Sequence, residues 1–185
     1  MKFFSKSLSL AFSALFSLQL FAAFEAETLE IQNKMNQLKV YKSYKYCVEG
    51  TFTCRDLVLL QDKVTNTPSD EMMYDNFISS ERAVASTGYF LKNTDGTYRA
   101  RLDRVFDGQI QIDLIENANS NLTVTFDSEG LPTFHNVILK VLGTTQRSLS
   151  TMTYSADQAT ILGFKYDEAD PSVHIPYSVV YKRVK

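Results

Sequence analysis

From Tyr89 onward apolar and polar positions alternate. Tyr98, Ala100 and Leu102 are separated by Arg99, Arg101 and Asp103, and Ile110, Ile112 and Leu114 by Gln109, Gln111 and Asp113. Leu122, Val124 and Phe126 then alternate with Thr123 and Thr125. A period of two marks strands with one buried and one wet face. Further strand-like runs fall at residues 133–142, 148–154, 160–166 and 175–184. Asn93-Thr94-Asp95-Gly96, Asp107-Gly108 and Ser128-Glu129-Gly130 supply turn chemistry between strands.

The earlier part of the chain reads differently. Ile31, Met35 and Leu38 recur at helical spacing among polar residues, so a helix is expected over residues 27–38. Aromatic and β-branched residues take over from about Ser43, and strand is expected there. A second helix is expected from Thr67, where Thr67 caps, Pro68 suits the first turn, and Asp70 and Glu71 favour the positive end of the dipole. Met73 and Phe77 would then form its apolar stripe.

Together these elements give an α+β, mainly β fold. It is a curled antiparallel meander of about seven to nine strands packed with one or two helices. A helix followed by a long meander has the general outline of lipocalin-like and envelope lipid-carrier domains, a half-barrel architecture carried here by the order of elements and by no motif.

Residues 1–26 sharpen the class. Lys2 and Lys6 precede an apolar stretch to Phe24, and Ala22, Ala23 and Ala26 offer small cleavage residues. This is the pattern of a secretory signal. Residues 27–185 are then expected to form a single exported domain, periplasmic or extracellular, that is not an integral membrane protein after cleavage. The whole chain has a formal charge of −2, and losing Lys2 and Lys6 makes it more acidic, which argues against a nucleic-acid partner. Cys47 and Cys54 flank Glu49-Gly50-Thr51-Phe52 so that they would face each other across a hairpin, and a disulfide is expected.

Chemistry-bearing motifs are sparse. No Gly-x-Ser-x-Gly elbow, phosphate loop or His-Glu-x-x-His pair occurs. His135 and His174 have no carboxylate at ligand spacing, so neither a metal nor a cofactor is expected, and Asp167-Glu168-Ala169-Asp170 reads as an acidic turn. Asn121-Leu122-Thr123 is a glycosylation acceptor in a eukaryotic host. Thirteen phenylalanines and ten tyrosines occur with no tryptophan. A curled sheet could use them to line a cavity, and Met73, Phe77, Tyr98, Phe126 and Phe164 are the candidate ligand-binding residues.

Three functions follow. The first is a non-catalytic carrier of an apolar small molecule or lipid. The second is an envelope or secreted protein with a filled core. It would bind a protein partner through a charged face of Arg99, Arg101, Asp103, Gln109 and Gln111. A hydrolase using His135 or His174 is the third, and lacks a recognisable nucleophile.

Overall fold

The computed structural model describes residues 25–106, 109–113, 122–140, 145–167, 169–170 and 172–185. The expected signal segment lies outside these residues except for Glu25 and Ala26, which open a helix, α1, over residues 25–37. Asp107-Gly108 and Asn121 also lie outside them. The chain divides into two compact units, residues 1–39 and 40–185. In α1, Ile31 is buried and Met35 is exposed. No helix among the described residues is long and apolar enough to cross a membrane.

Eleven strands follow among the described residues: β1 Leu38–Cys47, β2 Thr53–Asp62, β3 Pro68–Ser79, β4 Val84–Lys92, β5 Tyr98–Phe106, β6 Gln109–Asp113, β7 Thr123–Phe126, β8 Pro132–Lys140, β9 Gln146–Tyr154, β10 Gln158–Asp167 and β11 His174–Arg183. They form one antiparallel sheet in the order β6-β5-β4-β3-β2-β1-β11-β10-β9-β8-β7. Two meanders, β1–β6 and β7–β11, are thus joined where β1 pairs with β11 at Tyr46↔Arg183. The sheet curls until it is nearly closed and barrel-like, and the backbone N–H of Tyr98 in β5 donates to the carbonyl of Leu122 beside β7 at 3.2 Å. The mainly β, curled meander expected from the alternation is the observed architecture.

Several irregularities bend the sheet. The β2–β3 register shifts between Leu59 and Leu60, and the β8–β9 register shifts between Phe134 and Val137. Asn136, in the second bulge, takes a left-handed φ of 61°. Bulges of this kind raise local twist and help a sheet close. Gly163 acts in the same direction. A Cβ there would stand 2.2 Å from the Leu149 carbonyl oxygen, so only glycine lets β9 and β10 approach this closely.

The segment expected to be a second helix is strand β3. Its start is fixed by the preceding turn, where Asp62 Oδ1 accepts from the N–H groups of Val64 and Thr65. The Asp62 N–H bonds the Thr67 carbonyl at 3.0 Å, closing a hairpin instead of opening a helix. Pro68, lacking an N–H, is tolerated as the first residue of a strand. Met73 and Phe77 are four apart, which suits a helix face, but they also share a strand face with Asp75 between them. Asp75 is buried, and a carboxylate at a core position hides the period of two.

The charged face is also rearranged. Arg99, Arg101 and Asp103 do alternate with the core positions of β5, but Phe106 pairs with Gln109 and Arg104 with Gln111. Asp103 and Val105 stand level with Ile112 and Ile110. The two glutamines therefore stand level with Phe106 and Arg104 in the ladder, not with Arg101 and Asp103.

The hairpin between β1 and β2 is as expected. Val48 N–H donates to the Thr53 carbonyl at 2.9 Å, and Gly50 supplies the left-handed turn position. The Cys47–Cys54 disulfide closes it, with the two Cα atoms 4.0 Å apart. A loop this small stabilises by about 2–3 kcal/mol.

Candidate functional site

The core-facing side of the sheet carries two kinds of surface. One is a sealed aromatic layer. Phe90 of β4 stacks on Phe134 of β8 at 3.9 Å between ring centroids, and Tyr154 of β9 meets Phe134 edge-on at 6.0 Å. Tyr46 tilts against Tyr154 at 5.6 Å and donates its hydroxyl to the Ser155 carbonyl. Met73, Met152, Leu57 and Ile161 complete the layer, all buried. Such aromatic pairs add about 0.5–1.5 kcal/mol each beyond the burial of their area.

Next to that layer the same face turns polar. The register sets Leu57, Asp75, Gly88 and Leu102 in one row across β2–β5, and Arg55, Phe77, Ser86 and Arg104 in the next. Arg55 Nη1 forms an ion pair with Asp75 Oδ2, and their side chains are 15% and 4% exposed. The guanidinium also lies over the Phe77 ring at 5.1 Å and the Tyr181 ring at 5.4 Å. A desolvated cation held this way gains about 2 kcal/mol from each favourable ring.

The electrostatics follow from burial and proximity. Removal from water pulls the Arg55 pKa down, but Asp75 beside it and the Tyr154 and Tyr181 hydroxyls outweigh this and hold it protonated. Burial raises the Asp75 carboxyl above its ordinary range, and Arg55 offsets only part of that rise. Because the guanidinium stays charged and in contact, we treat the pair as ionised at neutral pH. Burial, then the neighbouring Asp75 charge, drive the Tyr154 hydroxyl well above its ordinary value, so it is a neutral donor.

Three atoms of this group are not satisfied. Arg55 Nε, Asp75 Oδ1 and the Tyr154 hydroxyl are buried and make no hydrogen bond of good geometry. Tyr154 nonetheless lies close enough to both charged groups to perturb them and be perturbed. Beside Asp75, directly across the β3–β4 ladder, stands Gly88. Its φ is not left-handed, and a Cβ built there would meet nothing nearer than Phe90 at 3.8 Å. Neither backbone conformation nor close packing requires glycine at this position. A Cβ at this position would stand in ordinary van der Waals contact with Phe90, the Asp75 backbone carbonyl and Leu102, so the strand is packed here although it does not require glycine.

Of the five candidate residues read from sequence, two border this group. Met73 and Phe77 flank Asp75 on the same face of β3, Met73 in the sealed layer and Phe77 half-buried on the polar side. Tyr98 is buried in the core but away from the pair, its hydroxyl donating to the Asp70 carbonyl at 3.1 Å. Phe126 ends β7 opposite Pro132 and is 42% exposed. Phe164 lies opposite Leu149 and Pro176, outside the core cluster, and stacks on His174 at 4.8 Å. His135 shares a hydrogen bond with Thr125, so the two histidines serve separate local contacts.

Sequence reasoning missed Arg55, Asp75, Tyr154 and Gly88. The lone glycine inside an alternating apolar run was the available signal for the last of these. Two open surface clefts also occur. One, of about 340 Å³, runs along Lys165, Tyr166, Asp167 and Ile175, with its carboxylates capping their own turn. The other, of about 430 Å³, is lined from both rows at this end of β2–β5, by Phe77, Ser86 and Arg104 as well as by Asn76, Thr87 and Asp103. Among known proteins the chain matches no family model, no curated sequence and no solved structure.

Proposed function

We propose that this chain is an exported, non-catalytic binding protein that carries a small apolar or amphiphilic molecule on the core-facing side of its curled sheet. One observation carries the reading. Phe77, Ser86 and Arg104 face the core yet are only half-buried, while Leu57, Asp75 and Gly88 in the adjoining row are buried. A core face that opens to solvent beside a sealed layer, with aromatic, small and polar groups in register, is the surface such a ligand requires. The disulfide suits an oxidising compartment, in agreement with the exported class.

A second reading rests on the opposite face. There Ile78, Ala85 and Val105 form an exposed apolar row beside Asp56, Asn76, Thr87 and Asp103, a mixed surface suited to a protein partner. Native mass spectrometry of the chain from residue 27, purified under oxidising conditions without detergent, separates the two. A small molecule that co-purifies and is released on denaturation is the expected outcome for a carrier. A bare mass, with no fluorescence gain from the apolar dye N-phenyl-1-naphthylamine, overturns the carrier reading.

A further inference from the structure

We infer that the cleft of about 430 Å³ at the end of β2–β5 docks a protein segment in which a basic side chain is flanked by apolar ones, the basic head reaching the Asp56 carboxylate. The inference rests on the protein-partner reading of the face opposite the core, whose partner it names, and is independent of the carrier reading.

Register builds the site. Asp56, Asn76, Thr87 and Asp103 stand in one row across four strands, and Ile78, Ala85 and Val105 in the next row towards the strand ends. At the usual strand spacing the first row is roughly 14 Å long, the reach of about four residues of extended chain. Most of its polar groups are already engaged. Thr87 Oγ1 donates to Asn76 Oδ1 at 2.9 Å, and Asp103 accepts from Arg101 Nε at 2.7 Å and from Nη2 at 3.1 Å.

Asp56 is the exception. It lines the cleft, its Oδ1 is withdrawn from water and accepts no hydrogen bond, and no ion pair among the described residues compensates its charge. A half-buried carboxylate in this state is unfavourable, and a charged donor arriving in the cleft relieves it. The surroundings favour the same sign. Glu49 and Glu81 are exposed at the neighbouring turns, and of the two cations nearby, Arg82 and Arg104, the second is already engaged.

Phe52 supplies an apolar anchor beside the cleft. It lies two residues before Cys54, which stands opposite Ile78, and it is 79% exposed. The disulfide and a 2.8 Å bond from Phe52 N–H to Glu81 nevertheless hold its backbone in place. An aromatic ring fixed in solvent next to the exposed Ile78 and Val105 is a pre-organised contact of the kind that concentrates binding energy.

Other occupants match less well. An acidic segment sets its carboxylates against Asp56 and Glu81. A wholly apolar segment or an acyl chain covers Ile78 and Val105 but leaves Asp56 as it is. A second copy presenting this same face brings like charges together.

The test selects phage-displayed random peptides of about twelve residues on the chain starting at residue 27, disulfide intact. Peptides that bind this face are those lost on Ile78→Ser, and they are expected to carry lysine or arginine next to large apolar residues. Replacing the basic residue of such a peptide by neutral citrulline or norleucine is expected to weaken binding at least about tenfold, the contribution of a hydrogen bond to a charged group. Asp56→Asn is expected to weaken the parent peptide equally and to leave the neutral peptide unchanged, and the exchange in the peptide carries the test if Asp56→Asn does not fold. Face-binding peptides without basic residues overturn the inference and leave the protein-partner reading standing. So does binding that survives either neutral exchange. Selection of no peptide sensitive to Ile78→Ser overturns both.

Discussion

Two neighbouring parts of one interior obey different rules. Around Phe90, Phe134 and Tyr46 the sheet is held by rings in contact and buried methionines, and the Tyr46 hydroxyl is turned to a backbone partner. Around Arg55 and Asp75 it buries two opposite charges and leaves three polar atoms without good bonds. The first arrangement maximises packing. The second gives up part of its stability, as buried ion pairs commonly do relative to apolar residues of the same volume.

The contrast can be broken by substitution. Asp75→Leu strands the Arg55 charge and should cost about 3–5 kcal/mol in urea unfolding. Adding Arg55→Met should return the double variant to wild-type stability or better, since an apolar pair avoids the desolvation of both charges. Phe134→Ala should cost a similar amount, about 3–5 kcal/mol, but no second apolar substitution on a facing strand should recover it so fully. If the Asp75→Leu loss persists in the double variant, the ion pair is not the energetic unit drawn here.

The two glycines that face the core sharpen the same comparison at smaller scale. Gly163→Ala drives a methyl into the Leu149 carbonyl and Ser150 and should destabilise by about 1–3 kcal/mol. Gly88→Ala meets only ordinary contacts and should stabilise by about 0.4–1 kcal/mol, through the entropy of the unfolded chain. Opposite signs at two strand glycines would separate a glycine that close backbone approach requires from one that it does not.

The smallest expected effect lies outside the core. Glu81 accepts from Phe52 N–H and from the Thr53 and Ser79 hydroxyls, and these bonds hold its carboxyl down at about 2 from a usual 4.5. With the folded value below the unfolded one, its contribution is present above pH 4.5 and is lost as pH falls towards 2. The stability difference between wild type and Glu81→Gln should therefore be constant from neutral pH down to about 5 and shrink below it. A difference independent of pH would mean that the ionised carboxylate is not what ties this turn.

Much of the fold was legible as alternation. Tyr98–Ala100–Leu102 and the strands after residue 132 announced themselves because core and solvent positions carry different residue types. The β3 segment did not, since Asp75 and Ser79 occupy core positions and the residues around Pro68 mimic a helix start. The polar group was less legible still. Arg55 and Asp75 come from paired strands and Tyr154 from a distant one, so the register of β2 on β3 and the curl of the sheet bring them together. Aromatic content pointed to Met73 and Phe77, which border the group, and equally to Phe126 and Phe164, which do not.

The position of β11 has a consequence for how the molecule is made. The last strand of the sequence lies in the middle of the sheet, between β1 and β10, and it is the seam that joins the two meanders. Each meander is built from pairings between chain neighbours, and among the described residues the strand pairing that joins them needs residues 174–183. In a nascent chain the two meanders would therefore stay unpaired along this seam until residues 174–183 become available.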